Sequence, residues 1–371
     1  MSTANSTSEH SRCRGMVRVD SGQPLASALM FSASVLGNVS ALVLLEVRRR
    51  GTGSSLYRVL AFSLVLTDLL GSVAVSPVAL VAYARRRTLV GMGEGRELCS
   101  YFGFSLTLLS LSTLAILCVM ALERYLSVGH PYFYERHLSE RRGYVTVGVV
   151  FTGSLVFSLG PFVGLADYVQ YCPGTWCFLE MSYTRGQDRL YIGFYASLIL
   201  VMILTTVACN IRVIYLLVVM HKRGRFLRRA PSVRRRCVSM TEEMEHLLPL
   251  AIITVVFICC TCPLAIQVYL NMTGRREEQH SADLGALRLL STHSIINPWV
   301  FIILRPSVLR IIWRKLHKQK SKRPPSSGGM SKETGNRPQW ASPEAPLDQS
   351  QGSRSAPTVR ELSAGGHCEV T

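Results

Sequence analysis

One arginine lies within an apolar stretch near the end of the hydrophobic part of the chain. Residues 282–304 are numerous enough to cross a bilayer, which takes about 20 residues, and Arg288 falls in their first third. A guanidinium stays charged at ordinary pH, and at membrane depth it costs at least about 2.5–3.5 kcal/mol. Three roles would offset this cost: pairing with Asp283 or Glu278, snorkelling to the surface, or binding an anionic ligand.

Other polar residues also lie inside apolar stretches, where they are candidates for function. Asp68 and Asn38 each occupy one such stretch, and Asn297-Pro298 follows Arg288 within the same stretch. Their similar depths would let these side chains meet through water or an ion. Composition does not decide whether they form a structural polar network or a hydrated switch between two helix packings.

Adjacent opposite charges end the third apolar stretch, where Glu123, Arg124 and Tyr125 follow one another. Such charges at a helix end can pair and hold a resting state, although a solvated helix terminus would explain this tripeptide alone. The combination is more specific, because the same chain also places Asn38, Asp68 and Asn297-Pro298 inside apolar stretches.

The elements that must position these residues are predicted by hydropathy. The chain has 371 residues, of which 48% are apolar and 17% charged, and its mean hydropathy is +0.25. The apolar residues form blocks near the length of a membrane span, too long for barrel strands of about 10 residues. The sequence predicts an all-α membrane protein, a seven-transmembrane helix bundle over residues 24–305. Its spans are 24–47, 57–83, 98–128, 143–165, 190–220, 246–272 and 284–304.

The net charge of +18 is concentrated in the loops that would share one side of the membrane. Such loops are cytoplasmic by the positive-inside rule, which predicts an extracellular N-terminus and a cytoplasmic C-terminus. Basic loops attract anionic lipid headgroups, so the charge needs no nucleic-acid partner. We expect a multi-pass protein of the plasma membrane.

The ends of the chain are predicted to lie outside the bundle. Residues 1–23 form an extracellular tail with a glycosylation acceptor at Asn5. Residues 306–319 place apolar and basic side chains on opposite helical faces, which indicates an amphipathic helix on the cytoplasmic membrane surface. Residues 320–371 are rich in Ser, Pro, Gly and charge, as expected of a disordered tail.

Four cysteines fall in the predicted extracellular segments: Cys13, Cys99, Cys172 and Cys177. An even number in an oxidising compartment predicts two disulfides, with three possible pairings. No loop carries a His or Cys pair with zinc-ligand spacing, and we expect no metal and no cofactor.

The chain resembles the rhodopsin-like G-protein-coupled receptors and, among them, the prostanoid receptors, over about residues 20–320. The motifs that carry the resemblance include ALERYLSVGHPYFY, YVQYCPGTWCF and ALRLLSTHSIINPWVFIILRP. Glu123-Arg124-Tyr125 favours subtype 2 of the prostaglandin E receptors. The chain departs from the family at Asn297, where prostanoid receptors usually have an aspartate.

The resemblance implies that Arg288, Tyr83 and Thr175 bind the carboxylate of a lipid-derived ligand. At 1.5 Å per helical residue, Arg288 lies about 13 Å further out than Asn297, and Tyr83 about 22 Å further out than Asp68. The resemblance also implies further pocket residues, a switch and coupling set, and two disulfides. The pocket residues are Trp176, Ser27, Met30, Leu287 and Ser291; the switch set is Glu123, Arg124, Tyr125, Asp68, Asn38, Asn297 and Pro298; the disulfides are Cys99–Cys177 and Cys13–Cys172.

The implied function is that of a receptor for prostaglandin E2 that couples to the heterotrimeric Gs protein and raises cyclic AMP. Prostaglandin D2 and prostacyclin remain alternative ligands, and a phosphorylated tail would bind arrestin. An organic-anion transporter should show repeats and broken helices, and an enzyme a nucleophile with its base; the sequence has neither pattern.

Overall fold

A computed structural model describes residues 15–19, 24–49, 56–93, 96–181, 186–227, 247–272 and 280–303. Helices account for most of these residues, and two short strands follow the 3₁₀ turn Gly160–Val163. The elements are α1 (Pro24–Arg49), α2 (Leu56–Arg85), α3 (Leu89–Met92), α4 (Glu97–Gly129), α5 (Pro131–His137), α6 (Glu140–Ser158), β1 (Tyr168–Tyr171), β2 (Trp176–Leu179), α7 (Gly186–Leu227), α8 (Leu247–Met272) and α9 (His280–Ile303).

Six helices in the described part of the chain are long and apolar enough to cross a membrane: α1, α2, α4, α6, α7 and α8. The predicted seventh span corresponds to α9, which has 24 residues. Helix α9 carries polar and charged side chains among its apolar residues, including Asp283, Arg288, His293 and Asn297. It nevertheless packs between α1 and α8 and so completes a bundle of seven long helices.

Helix α4 lies at the centre of the bundle and packs against α2, α6 and α7. Its buried side chains occupy all sides of the helix, as expected of a helix surrounded by others. By contrast, α6 leaves Val145, Val149 and Val156 exposed, each by more than 60%. Apolar side chains on an outer helix face suit contact with lipid rather than water.

A β-hairpin covers one end of the bundle, which we call the hairpin end. Strands β1 and β2 pair antiparallel, with Tyr171 opposite Trp176. The disulfide between Cys99 and Cys177 fixes β2 to the start of α4, as the resemblance implied. Cys172 is also disulfide-bonded, but its predicted partner, Cys13, lies outside the described residues.

Residues 15–19 complete this cover by adding a short extended segment. The side chains of Thr88 and Gln170 both donate hydrogen bonds to the carbonyl of Met16, the second at 3.3 Å. Gly174, which connects the strands, has a φ of 95°, a left-handed conformation that glycine adopts readily. A Cβ at Gly174 would collide with Thr88.

The hairpin packs closely on α4 at Gly103, so a larger residue there should destabilise the protein. A Cβ at Gly103 would overlap the ring of Tyr168, whose hydroxyl donates to the carbonyl of Ser158 at 2.9 Å. We expect Gly103→Ala to destabilise the protein by about 1–3 kcal/mol through overpacking, seen as a lower Tm of the detergent-purified protein.

The matched control is Gly148→Ala in α6, where a Cβ would meet no atom within 4 Å. Alanine is a better helix former than glycine by up to about 1 kcal/mol, so this variant should keep or raise the Tm. A similar change in Tm for both variants would contradict the packing argument.

Besides Cys13, three predicted features fall on residues that the structure does not describe. They are the glycosylation acceptor Asn5, the amphipathic helix at 306–319 and the tail at 320–371. These features stay predictions.

Candidate functional site

A cavity of about 110 Å³ lies among α1, α2, α4 and α9, with Trp176 of β2 at its hairpin end. Four of the predicted pocket residues line it: Ser27, Met30, Trp176 and Ser291. Leu287 is fully buried but is not part of the cavity lining.

The lining of the cavity mixes hydroxyl groups with apolar side chains. Ser105 and Ser110 of α4 lie beside Leu106 and Leu109 of the same helix. Concave sites with many apolar groups and a few polar ones are typical of small-molecule binding. The chemistry of this cavity therefore suits a flexible ligand that carries both hydrocarbon and oxygen.

Tyr83 and Thr175 meet at the hairpin end of the bundle. The Thr175 hydroxyl donates a hydrogen bond to the Tyr83 hydroxyl at 3.2 Å, and Thr175 is fully buried. The next residue, Trp176, packs edge-on against Phe102 of α4 with ring centroids 5.9 Å apart. The disulfide at Cys177 and this ring contact hold the Thr175 hydroxyl in place.

Arg288 lies on α9 near this end, with an exposed side chain that is not part of the cavity lining. It precedes Ser291 by three residues and Ile295 by seven, so the three share one helix face, and both later residues line the cavity. Trp299 continues this face and donates from Nε1 to the carbonyl of Ala33 in α1 at 3.2 Å. Arg288 thus lies beyond the cavity lining, on the side of α9 nearest α1.

Asp283 and Glu278 are the two carboxylates that could pair with Arg288, and of these the structure describes only Asp283. Asp283 is buried and accepts a hydrogen bond from the Asn271 amide at 3.1 Å. Among the described residues, no carboxylate forms an ion pair with Arg288. Glu278 lies outside the described residues.

The floor of the cavity contains Asp68. One carboxylate oxygen of Asp68 accepts a hydrogen bond from the Asn297 amide at 3.1 Å, and the other accepts from Thr113 at 2.9 Å. Asn38 does not contact these groups; its amide donates to the carbonyls of Ser34 at 3.0 Å and Ser294 at 3.5 Å. The predicted polar cluster thus joins α2, α4 and α9 directly and α1 through the backbone of α9.

The comparisons with known proteins agree with this architecture. The family "7 transmembrane receptor (rhodopsin family)" matches residues 37–301. The chain is 46% identical over 320 residues to the prostaglandin E2 receptor EP2 subtype of Mus musculus, covering 81% of this chain and 86% of that receptor. It is 39% identical over 335 residues to the prostaglandin D2 receptor of the same species, covering 83% and 93%.

The chain is a prostanoid receptor of the rhodopsin family. Its fold also matches a crystal structure of squid rhodopsin, with a TM-score of 0.63 at 16% identity over 81% of this receptor and 88% of the rhodopsin. The membership excludes an enzyme and confirms the predicted seven-helix class.

His293 is a residue of the receptor that the sequence analysis missed. Its side chain is 1% exposed, its Nδ1 lies 3.5 Å from the Asn297 amide nitrogen, and its ring stands edge-on to Phe257 of α8 at 5.7 Å. His293 therefore connects the polar cluster to α8. The sequence did contain a signal for this role, because His293 is a polar residue one helical turn before Asn297 in an apolar stretch.

The opposite end of the receptor holds the predicted pair of Glu123 and Arg124. Arg124 Nε lies 3.6 Å from Glu123 Oε2, and its guanidinium lies 3.7 Å above the ring of Tyr57, a cation–π contact. The Tyr134 hydroxyl donates to Glu123 Oε1 at 2.7 Å. Burial and this hydrogen bond raise the pKa of Tyr134, so it remains a donor at physiological pH.

Tyr125 points away from this network. Its hydroxyl lies 3.4 Å from Nε2 of His130, and the two rings meet edge-on at 5.6 Å. Tyr57 and Tyr134, rather than Tyr125, share the charged pair. A tyrosine in a connecting segment gives no sequence signal of its partner, which explains why Tyr134 was missed.

Proposed function

We propose that this receptor responds to prostaglandin E2 and couples to Gs, which stimulates adenylate cyclase and raises cyclic AMP. The supporting observation is the difference in identity between two groups of relatives. Prostaglandin E2 receptors of the EP2 subtype are 44–46% identical to this chain, whereas prostaglandin D2 receptors are 38–39% identical over similar lengths. A shared ligand is the simplest reason for greater identity along the whole bundle.

In this proposal the ligand carboxylate binds at the hairpin end, which faces the extracellular medium. Tyr83 and Thr175 already present two adjacent hydroxyls there, and Arg288 supplies the charge. A side chain as long as that of Arg288 can fold over the cavity that begins at Ser291. Charge-assisted hydrogen bonds from a guanidinium are roughly twice as strong as neutral ones, so the arginine would contribute most of the head-group affinity.

The apolar body of the ligand would occupy the cavity between α1, α2, α4 and α9. Ser27, Met30, Trp176 and Ser291 supply its walls, and Leu287, which precedes Ser291 on α9, is buried in the helix packing. The hydroxyl groups of the lining would accept or donate hydrogen bonds to the ring and chain oxygens of a prostaglandin.

Activation in this proposal is a population shift between two helix packings. The hydrogen bond from Asn297 to Asp68 joins α9 to α2 at the floor of the cavity. Pro298 follows directly, and a proline inside a helix removes a backbone hydrogen bond and permits bending. A bend there would move the cytoplasmic half of α9 and free the Glu123–Arg124 pair to receive the G protein.

The remaining assignments follow from the proposed orientation. The receptor would lie in the plasma membrane with an extracellular N-terminus that is glycosylated at Asn5, and Cys13 would be the partner of Cys172. Arrestin would bind the tail at 320–371 after phosphorylation.

The test is a cyclic AMP assay in cells that express the receptor, with untransfected cells as the control. Prostaglandin E2 should be more potent than prostaglandin D2 and a prostacyclin analogue by at least about tenfold, which corresponds to about 1.4 kcal/mol. A more potent response to either competitor would overturn the ligand assignment. Uptake of prostaglandin without cyclic AMP would indicate a transporter instead.

A further inference from the structure

Four exposed arginines lie together at the hairpin end of the receptor. Arg85 is the last residue of α2, Arg86 and Arg87 follow it, and Arg18 pairs with Arg87 through an isolated antiparallel β-bridge. We call these four residues the arginine turn. All four side chains are exposed.

The backbone of the arginine turn is fixed by hydrogen bonds. The Val19 N–H donates to the carbonyl of Arg86 at 3.2 Å, and the Thr88 N–H donates to the carbonyl of Val17 at 3.1 Å. Arg86 has a φ of 49°, a left-handed conformation that is uncommon for a residue with a side chain. The surrounding hydrogen bonds hold this conformation, so the charges extend from a defined surface.

The charges of the arginine turn have no carboxylate partner among the residues that the structure describes. Within the part of the chain that the structure describes, none of the four guanidiniums forms an ion pair. Like charges so close together produce a positive potential that adds over the group. A mobile anion is the partner that such a surface attracts.

The arginine turn lies directly beside the pair of hydroxyls at the hairpin end. The Arg86 N–H donates to the carbonyl of Tyr83 at 3.2 Å, and the Leu89 N–H donates to the carbonyl of Gly174 at 2.9 Å. Gly174 precedes Thr175, whose hydroxyl bonds that of Tyr83. The screening length is about 8 Å at physiological salt and about 30 Å at about 0.01 M, so the potential of a turn that begins two residues after Tyr83 acts at this entrance most strongly at low salt.

We propose that the arginine turn is an encounter site for the anionic ligand. It attracts a carboxylate-bearing amphiphile to the entrance, and the carboxylate then passes to Tyr83, Thr175 and Arg288. The inference rests on the proposed function, which places a carboxylate at Tyr83 and this end outside the cell. Because the encounter precedes binding, the turn accelerates association and leaves dissociation unchanged.

The experiment measures association and dissociation rates of tritiated prostaglandin E2. The full-length receptor is placed in nanodiscs of zwitterionic phosphatidylcholine, which removes anionic lipid as a competitor. Rates are taken at about 10 mM and about 150 mM salt, where the screening lengths are about 30 Å and about 8 Å. The wild-type association rate should fall as salt rises.

The variant Arg85→Gln/Arg86→Asn/Arg87→Gln removes three charges, with asparagine at the position that needs a left-handed backbone. At low salt its association rate should be about tenfold lower, at the low end of reported electrostatic steering, with dissociation unchanged and little dependence on salt. The control Arg136→Gln/Arg141→Gln/Arg212→Gln removes three exposed charges that lie away from the hairpin end and should behave like wild type.

The variant Arg85→Lys/Arg86→Lys/Arg87→Lys separates steering from a structural role. Steering depends on charge, so lysine should restore the rate, whereas a bidentate arginine contact would not tolerate lysine. An unchanged association rate in the neutral variant, or a loss of affinity that arises from faster dissociation, would overturn the proposal. If wild type does not bind prostaglandin E2, the proposed ligand is wrong. The association and dissociation rates of prostaglandin D2, measured on the same variants, then test the encounter site independently.

Discussion

Replacing Arg288 by glutamine should weaken the binding of prostaglandin E2 by about 100-fold. Glutamine keeps a hydrogen-bond donor of similar shape but removes the charge. A hydrogen bond between charged groups contributes about 1.5–3 kcal/mol, and a bidentate contact adds to this. Tyr83 and Thr175 would remain, because their hydrogen bond does not depend on Arg288. The measurement is saturation binding at matched surface expression.

The methyl ester of prostaglandin E2 provides the control for this prediction. The ester carries no charge, so wild type should bind it more weakly than the acid, whereas Arg288→Gln should bind the two about equally. This cycle isolates the interaction between the guanidinium and the carboxylate from any change in folding. If Arg288→Gln still prefers the acid as strongly as wild type does, Arg288 does not bind the carboxylate.

Removing the Cys99–Cys177 disulfide should have the second large effect. The bond joins residues 78 positions apart, and the loss of a native disulfide typically costs about 2–5 kcal/mol. For a bundle of this size we expect Cys99→Ser/Cys177→Ser to lower the Tm by roughly 5–15 °C. High-affinity binding should also be lost, because Trp176 begins β2 and Thr175 directly precedes it.

Two comparisons separate the role of this disulfide from a general effect of cysteine replacement. Cys259→Ser changes a free, exposed cysteine in α8 and should leave Tm and binding unchanged. The second comparison is reduction of the wild-type receptor, which also breaks the disulfide at Cys172 and should therefore lower the Tm at least as much as the double variant does. Full binding after loss of the bond would show that other contacts hold the hairpin in place.

The helices were the most predictable part of the fold. The third predicted span, residues 98–128, is helix Glu97–Gly129, and the fifth, 190–220, is helix Gly186–Leu227. The sequence predicts them well because a bilayer requires long apolar helices with every backbone group paired internally. The additional turns extend beyond the apolar blocks and therefore leave no hydropathy signal.

The hairpin end was much less predictable. The Thr88 hydroxyl and the Gln170 amide both donate to the Met16 carbonyl. These hydrogen bonds depend on how three segments that are distant in the sequence pack together. Hydropathy fixes the depth of a residue in the membrane but gives only an approximate rotation of its helix. For this reason the sequence predicts the depth of Arg288 in the membrane. It does not predict that the Arg288 side chain is exposed or that Leu287 lies outside the cavity lining.

The cavity extends from Ser27 to Asp68, so the length of a ligand determines how deeply it reaches into the bundle. A molecule that occupies only the part near Trp176 would leave the contact between Asp68 and Asn297 untouched, whereas a longer one would press on it. Affinity and efficacy would then be set by different portions of the same molecule. Shortening the hydrocarbon chain of an agonist, with its carboxylate kept, should convert it into a competitive antagonist.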